Sequence, residues 1–247
     1  MSGPAYDLDP VVAARLGLIV LQADETVERD FRRLFHPDVP LHVSRIPSGA
    51  DLTAETIARM ELDLPRAAAL FPSGAQFDTV GYACTSGTTL IGPDRVAELV
   101  REGCAATHVT NPLSAAFEAL AHVGASRIAL VSPYNAQIAG ALARTFERVG
   151  VAVPAAISFG EEVEANVARI TPGSIAEAAR SLAGAGNVDA VFLSCTNLRT
   201  LDIIAPLERE LGRPVISSNL ALAWAMAARS GTAIALDGFR LLRGGAG

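Results

Sequence analysis

The sequence predicts an α/β protein built from two pseudo-symmetric lobes, each a parallel sheet flanked by helices, with a cleft between them. Short apolar runs alternate with longer amphipathic stretches, which is typical of βαβ units. The segment FDTVGYACTSGTTL around Cys84 is repeated in outline as VDAVFLSCTNLRTL around Cys195, 111 positions later. RLGLIV from Arg15 and RIALVS from Arg127 repeat at 112 positions. One shared period therefore indicates a duplicated fold.

Eight strands are predicted from the short apolar runs. Some of these runs, such as AVFLS, show no polar alternation, because a strand with helices on both sides is buried on both faces. In chain order, the predicted strands are Leu16–Leu21, Leu41–Ile46, Thr79–Ala83, Thr107–Val109, Arg127–Val131, Ala152–Ser158, Ala190–Ser194 and Val215–Ser217.

The amphipathic stretches between the strands are predicted helices. The repeat assigns residues 1–110, with a closing C-terminal helix over 219–240, to a first lobe, and residues 111–218 to a second lobe. No low-complexity linker separates the halves, so we expect the lobes to pack closely. The predicted helices begin near Asp24, Thr53, Pro93, Asn111, Asn135, Gly173, Leu198 and Asn219.

Composition narrows the possible partners. The chain has 247 residues, 50% of them hydrophobic, which is enough for a substantial core. Its formal net charge is −6 and it has no basic stripe, so nucleic acid is not an expected partner. No apolar run is long enough to span a bilayer, and MSGPAYDLDP does not resemble a secretory signal. The three widely spaced cysteines then indicate reduced thiols in the cytoplasm.

The chain contains no lysine, since all 20 of its basic residues are arginine. Pyridoxal phosphate chemistry needs a lysine for its Schiff base, and a P-loop needs one for its phosphates, so both are excluded. The four histidines lack metal-site spacing, and no GxGxxG follows a strand. We therefore expect neither a cofactor nor a bound metal.

Cys84 and Cys195 each stand where a predicted strand ends and a turn toward a helix begins. Ligands of open α/β sheets bind at the carboxyl ends of strands. The hydroxyls of Thr85, Ser86 and Thr196 and the amide of Asn197 follow the two thiols and are candidates for binding an anion. A helix N-terminus is also expected to lower the pKa of a thiol. A lone cysteine is often a small buried hydrophobe, but the matched pair favours function; Cys104, which has no counterpart, is predicted to be core.

Three further residues are candidates for the site. Asp24 could cap the helix that follows, orient a cysteine or bind a substrate amine, and the sequence does not decide among these roles. Tyr134 follows a proline at a strand end, where its ring could pack or its hydroxyl could bind a carboxylate. Asn166 in EVEANVARITPG is either a turn residue or a substrate ligand.

The motifs YACTSGTTLIG, SPY and LSCTNLRTLD resemble those of the Asp/Glu racemase superfamily. The similarity covers nearly the whole chain and points to the branch of maleate cis–trans isomerases, arylmalonate decarboxylases and racemase-like proteins of ectoine utilisation. It implies two α/β lobes with one catalytic cysteine from each, Cys84 and Cys195, in an active site between them. It also implies a cofactor-independent enzyme for a small carboxylate, and a homo-oligomer.

Differences within this branch are informative. Arylmalonate decarboxylases carry glycine where this chain has Cys84, and their Thr-Ser pair and tyrosine, matched here by Thr85, Ser86 and Tyr134, cradle a carboxylate. Maleate isomerases keep both cysteines and carry asparagine at the position of Asp24.

A second asparagine of the maleate isomerases corresponds to Asn166 after a small shift. Amino-acid racemases of the superfamily often place an aspartate near the position of Asp24, which favours a substrate that carries an amine.

Three hypotheses follow from these residues. The first is a two-cysteine isomerase, either a racemase or a maleate-type cis–trans isomerase, in which Cys84 and Cys195 give and take protons or add to a double bond. The second is an arylmalonate-type decarboxylase that uses Cys195 alone. The third is a non-catalytic small-molecule binding protein, which the paired cysteines make the least favoured.

Overall fold

The computed structural model describes residues 5–8, 14–49, 53–184 and 187–243, and these ranges contain two parallel four-stranded sheets. The strand order is β2-β1-β3-β4 in the first sheet and β6-β5-β7-β8 in the second. The predicted fold class is confirmed. The strands are β1 Leu16–Leu21, β2 Leu41–Ile46, β3 Gln76–Ala83, β4 Ala105–Thr110, β5 Arg127–Ser132, β6 Ala152–Ser158, β7 Ala190–Leu193 and β8 Val215–Ser217.

Helices cover both sheets. In the described ranges they include two short helices that the sequence did not predict, α3 and α7, and a final 3-10 turn at Arg240–Leu242. The helices are α1 Val27–Leu34, α2 Ala54–Ala68, α3 Thr85–Ile91, α4 Pro93–Gly103, α5 Pro112–His122, α6 Ala136–Arg148, α7 Glu164–Val167, α8 Pro172–Gly184, α9 Leu201–Leu211 and α10 Ser218–Ser230.

Side-chain caps fix the start of several helices. The hydroxyl of Thr53 accepts a hydrogen bond from the Thr56 amide at the start of α2. Asn111 and Asn135 cap α5 and α6 in the same way, and Ser217 caps α10. Such caps satisfy amides that the first helical turn leaves unpaired. They explain why helix starts were predicted within a few residues.

The core lies between each sheet and its helices. Every residue of β1 is buried, because β1 pairs with β2 on one side and β3 on the other and helices cover the sheet. Helix α10 packs against α5 and against β3 of the first sheet.

The boundaries of the two lobes remain a prediction. In the described part of the chain, no helix combines the length and the apolar character needed to cross a membrane.

In each sheet, the two inner strands are adjacent to each other. Strands β1 and β3 are adjacent in the first sheet, and β5 and β7 are adjacent in the second. Asp24, Cys84, Tyr134 and Cys195 follow these four strands in order. The duplicated fold therefore presents equivalent carboxyl ends, the edge at which parallel α/β sheets bind ligands.

Candidate active site

The four strand-end residues are all buried. The exposed fraction is 4% for Asp24, 2% for Cys84, 1% for Tyr134 and 6% for Cys195. The two thiols interact electrostatically with each other, and the Tyr134 hydroxyl interacts with both. The structure therefore brings together the residues that the internal repeat singled out.

Cys84 is the N-terminal cap of α3. Its sulfur accepts a hydrogen bond from the Gly87 amide at 3.1 Å, and the Ser86 hydroxyl lies 3.6 Å from it. Burial raises the pKa of the Cys84 thiol to about 11, against the lowering effect of Ser86 and Gly87, and the Glu164 carboxylate raises it further. Cys84 is therefore a protonated thiol near neutral pH.

Cys195 has a strained backbone. Its φ is +130°, a region that residues with a Cβ rarely adopt, and its amide donates to the Ser218 hydroxyl at 3.0 Å. Burial raises the pKa of the Cys195 thiol well above its ordinary value, and the charge of Glu164 adds to the increase.

The sequence predicted lowered thiol pKa values from the nearby helix starts, and that prediction is wrong for Cys84 and Cys195. The structure raises both pKa values because both sulfurs are fully enclosed. At Cys84, the free-energy cost of burying a thiolate is larger than the stabilisation by the Gly87 amide and the Ser86 hydroxyl.

Hydrogen bonds join the two cysteine loops directly. The Thr85 and Ser218 hydroxyls lie 2.9 Å apart, and Ser218 also accepts from the Cys195 amide. The Thr196 hydroxyl donates at 3.1 Å to the carbonyl of Ala83, the residue before Cys84. Thr85 and Thr196, both predicted to bind substrate, therefore hold the two loops in register.

Asn197 connects three segments around the thiols. Its side-chain oxygen accepts from the Glu25 amide at 2.9 Å, and its backbone carbonyl accepts from the Thr26 hydroxyl at 2.9 Å. Its side-chain nitrogen lies 3.2 Å from the Glu164 carboxylate. The amide of Asn197 is thus occupied in fixing the loop after β1 and the segment around Glu164.

Asp24 uses only one carboxylate oxygen for capping. Oδ1 accepts from the Thr26 and Val27 amides at 2.8 Å each, which starts α1. Oδ2 is buried and, within the described ranges, forms no hydrogen bond of standard geometry. Burial raises the pKa of Asp24 against these two amides. One role left open by the sequence, the helix cap, is therefore realised, and the second oxygen stays free.

Glu164 is the site residue that the sequence analysis missed. Its side chain is 3% exposed, and burial raises its pKa to about 7, with the nearby Asp24 charge adding to the rise. Asn166, predicted as a ligand, is exposed on the same one-turn helix and lies outside the cluster. A glutamate is usually solvated, and the one sign of a buried face in its surroundings was the apolar Val167 three residues later.

Tyr134 leaves a buried hydroxyl free. Among the described residues, this hydroxyl makes no hydrogen bond of standard length and angle, although the side chains of Ser194 and Cys195 interact with it. Burial raises its pKa well above the ordinary value, so it remains a hydrogen-bond donor. A buried unpaired donor is uncommon and is a natural partner for a ligand oxygen.

The raised pKa of Glu164 predicts a pH-dependent stability. The folded protein holds this proton more tightly than the unfolded chain, so the free energy of unfolding falls as pH rises from about 4.5 to about 7. The loss attributable to Glu164 is of the order of 3 kcal/mol. We expect Glu164→Gln, which keeps a carbonyl for Asn197, to be the more stable protein at pH 8.

Urea unfolding at pH 5 and pH 8 measures this effect. The drop in stability between the two should be smaller in Glu164→Gln than in the parent, and Asp30, whose pKa burial raises to about 6, should preserve part of it. The exposed Glu162→Gln is the matched control and should behave like the parent. An identical drop in Glu164→Gln and the parent would contradict the assignment.

The remaining candidates do not form a metal centre. No group of three or more His, Cys, Asp or Glu side chains in the described ranges is placed to hold a metal ion. Cys104 is half-buried against the core, apart from the paired thiols.

A sequence model of the arylmalonate decarboxylase family matches residues 53–242. The chain belongs to the arylmalonate decarboxylase family. The predicted branch of the superfamily is thereby confirmed.

Similar proteins of known name extend the comparison. The maleate isomerase of Nocardia farcinica is 29% identical over 244 residues, covering 93% of this chain and 95% of the relative. The structure of a cysteine-to-alanine variant of the maleate isomerase Iso from Pseudomonas putida S16 with maleate is 25% identical, with a TM-score of 0.84. It covers 94% of this chain and 98% of its own.

A third comparison is with the Nocardia farcinica maleate cis–trans isomerase. The structure of its cysteine-to-serine mutant holds a covalently bound succinylcysteine intermediate. It is 27% identical, covers 94% of this chain and 99% of its own, and has a TM-score of 0.83. These names fit the predicted class of cofactor-independent isomerase.

Proposed function

We propose that this member of the arylmalonate decarboxylase family is a cofactor-independent isomerase of a small carboxylate, with Cys84 and Cys195 as its reacting groups. The observation that carries the proposal is the pair of buried, electrostatically coupled thiols at equivalent strand ends, in loops tied together by hydrogen bonds. The free hydroxyl of Tyr134 and the hydroxyl of Ser86 are the donors proposed for the substrate carboxylate.

The first candidate reaction is cis–trans isomerisation of an unsaturated dicarboxylate, as the names of the relatives suggest. Cys84 first loses its proton to solvent; its thiolate then adds to one carbon of the double bond, and the Cys195 thiol gives a proton to the other. The resulting single bond rotates, Cys195 takes a proton back, and the carbon–sulfur bond breaks to expel Cys84. Both thiols return to their starting state, so no cofactor or external oxidant is needed.

Proton NMR of maleate with the purified protein tests this candidate. The olefinic signal of maleate should decay while that of fumarate grows, without loss of carbon dioxide. A protein that leaves maleate unchanged at high enzyme concentration would exclude it as the substrate. Release of carbon dioxide from an arylmalonate would instead support decarboxylation.

The second candidate is racemisation or epimerisation of a carboxylate that also carries an amine. It is favoured by the buried carboxylates of Asp24 and Glu164, which interact with each other and with Cys195. Two buried acids would repel the second carboxylate of maleate, whereas an ammonium group would pair with both. The unpaired Oδ2 of Asp24 is an acceptor for such a group.

A bound ammonium group would also activate the thiols. The charge on Glu164 raises the pKa of both Cys84 and Cys195, so a cation that neutralises this charge lowers both values. One thiolate then removes the Cα proton while the opposite thiol supplies a proton to the other face. Substrate binding and thiol activation are coupled in this scheme, because the thiols stay protonated until an amine is bound.

Proton NMR in D₂O with aspartate, glutamate and N-acetyl-diaminobutyrate tests the second candidate. Deuterium should appear at Cα of the true substrate, and optical rotation should decay toward zero. Exchange without change in rotation would indicate a single reacting thiol and contradict the two-thiol mechanism. We infer from the family resemblance that the protein is a homo-oligomer, and from its three widely spaced cysteines that it works in the cytoplasm. Light scattering measures the oligomeric state directly.

A further inference from the structure

We propose that Tyr82 is a positioning residue whose hydroxyl donates a hydrogen bond to the Cys84 thiolate when that thiolate forms. Tyr82 lies in β3, two residues before Cys84, and its side chain is fully buried. The inference rests on the proposed role of Cys84 as a reacting group.

The neighbourhood of Gly87 shows that the phenol and the thiol border the same small space. A Cβ added to Gly87 would lie 2.6 Å from the Tyr82 hydroxyl oxygen and 2.9 Å from the Cys84 sulfur. The hydroxyl oxygen and the sulfur both lie beside this hypothetical Cβ position, so both occupy the space that any larger residue at position 87 would need. Glycine at this helical position thus leaves room for the phenol–thiol contact and lets its own amide reach the sulfur at 3.1 Å.

The present hydrogen bond of Tyr82 is a weak one. Its hydroxyl donates at 3.4 Å to the thioether sulfur of Met60, and a thioether is a poor acceptor. A thiolate is a charged acceptor, and hydrogen bonds to charged groups are roughly twice as strong as neutral ones. Loss of the Cys84 proton therefore gives the phenol a better partner within reach.

Electrostatics agree with this geometry. Burial, and after it the Cys84 interaction, raises the pKa of Tyr82, so the phenol stays a donor, while Tyr82 lowers the pKa of Cys84. With the Gly87 amide, the phenol gives the sulfur two donors that the proposed substrate carboxylate does not use. These two donors oppose the burial and the Glu164 charge that keep Cys84 protonated.

The test is the rate of Cys84 alkylation by iodoacetamide from pH 7 to pH 9.5, followed by peptide mass mapping in the Cys195→Ala protein. Below the thiol pKa, this rate is proportional to the thiolate fraction. Tyr82→Phe keeps the ring and removes the donor, and it should slow alkylation of Cys84 about tenfold at each pH. Cys104 in the same molecules is the internal control and should react at the parental rate.

Unchanged alkylation of Cys84 in a folded Tyr82→Phe protein would overturn the proposal. A second variant, Met60→Leu, keeps the volume and removes the competing acceptor, so it should leave the Cys84 rate equal to the parent's or higher. A slower rate in Met60→Leu would also count against the proposal, even if Tyr82→Phe failed to fold. No substrate is used, so failure here leaves the proposed function to be judged by its own NMR tests.

Discussion

Replacing either Cys84 or Cys195 with alanine should abolish turnover, with kcat reduced by at least about 10²–10⁴-fold in each single variant. The two thiols act on the same substrate at different points of the cycle, so neither can stand in for the other. A double variant should lose little more than a single one, because residues that act as a unit are not additive. The rate of the NMR reaction identified for the native protein measures the effect.

The control for this prediction is Cys104→Ala, which removes the half-buried third thiol and should retain parental kcat. Each variant is checked for folding by circular dichroism, since both buried sulfurs pack in the core. Near-native kcat in Cys84→Ala with loss in Cys195→Ala would contradict the two-thiol mechanism and return the protein to the single-cysteine decarboxylase hypothesis.

The double substitution Asp24→Asn with Glu164→Gln should reverse the preference for substrate charge. We expect kcat/KM for an amine-bearing carboxylate to fall by at least about 100-fold, because a buried ammonium would lose both of its charged partners. Measured at pH 8, above the pKa of Glu164, activity on maleate should rise, since the negative charge of Glu164 that repels its second carboxylate is gone. Asn at position 24 keeps the oxygen that caps α1.

Competition between the two substrate classes measures this reversal in one NMR sample. The exposed Glu162→Gln is the control for loss of charge, because it removes one carboxylate outside the cluster, where the double variant removes two inside it. If the double variant kept full activity on the amine-bearing substrate, the two carboxylates would have no part in binding it.

The sequence predicted central strands such as β1 and β7 well, because burial on both faces leaves an unbroken apolar run. β1, β2, β6 and β8 have the predicted bounds, and β3 and β4 are longer because polar residues such as Gln76 and Thr110 continue the pairing at their ends. The strand-end positions of Cys84 and Cys195 followed from the repeat. Helix α3 was not predicted because its sequence, TSGTTLI, is poor in residues that favour helices. The Cys84 sulfur caps its first turn.

The parts of the site that could not be predicted depend on tertiary packing. Glu164 and Asn166 lie on the same turn, and only the packing of α7 decides that the carboxylate is buried and the amide exposed. In the sequence, Tyr82 resembles the other apolar residues of β3. Only the structure around Gly87 shows that its hydroxyl lies near the Cys84 thiol. The raised thiol pKa values follow from complete enclosure, which has no signature in a local motif.

The most direct test of the central claim, that Cys84 and Cys195 share one site, needs no knowledge of the substrate. The native protein is treated with iodoacetate, a small carboxylate that alkylates thiols, and intact and digested proteins are weighed by mass spectrometry. The account predicts molecules labelled at Cys84 or at Cys195 but not at both, because one carboxymethyl group fills the site, with Cys104 labelled independently. Molecules that carry the label on both Cys84 and Cys195 would contradict it.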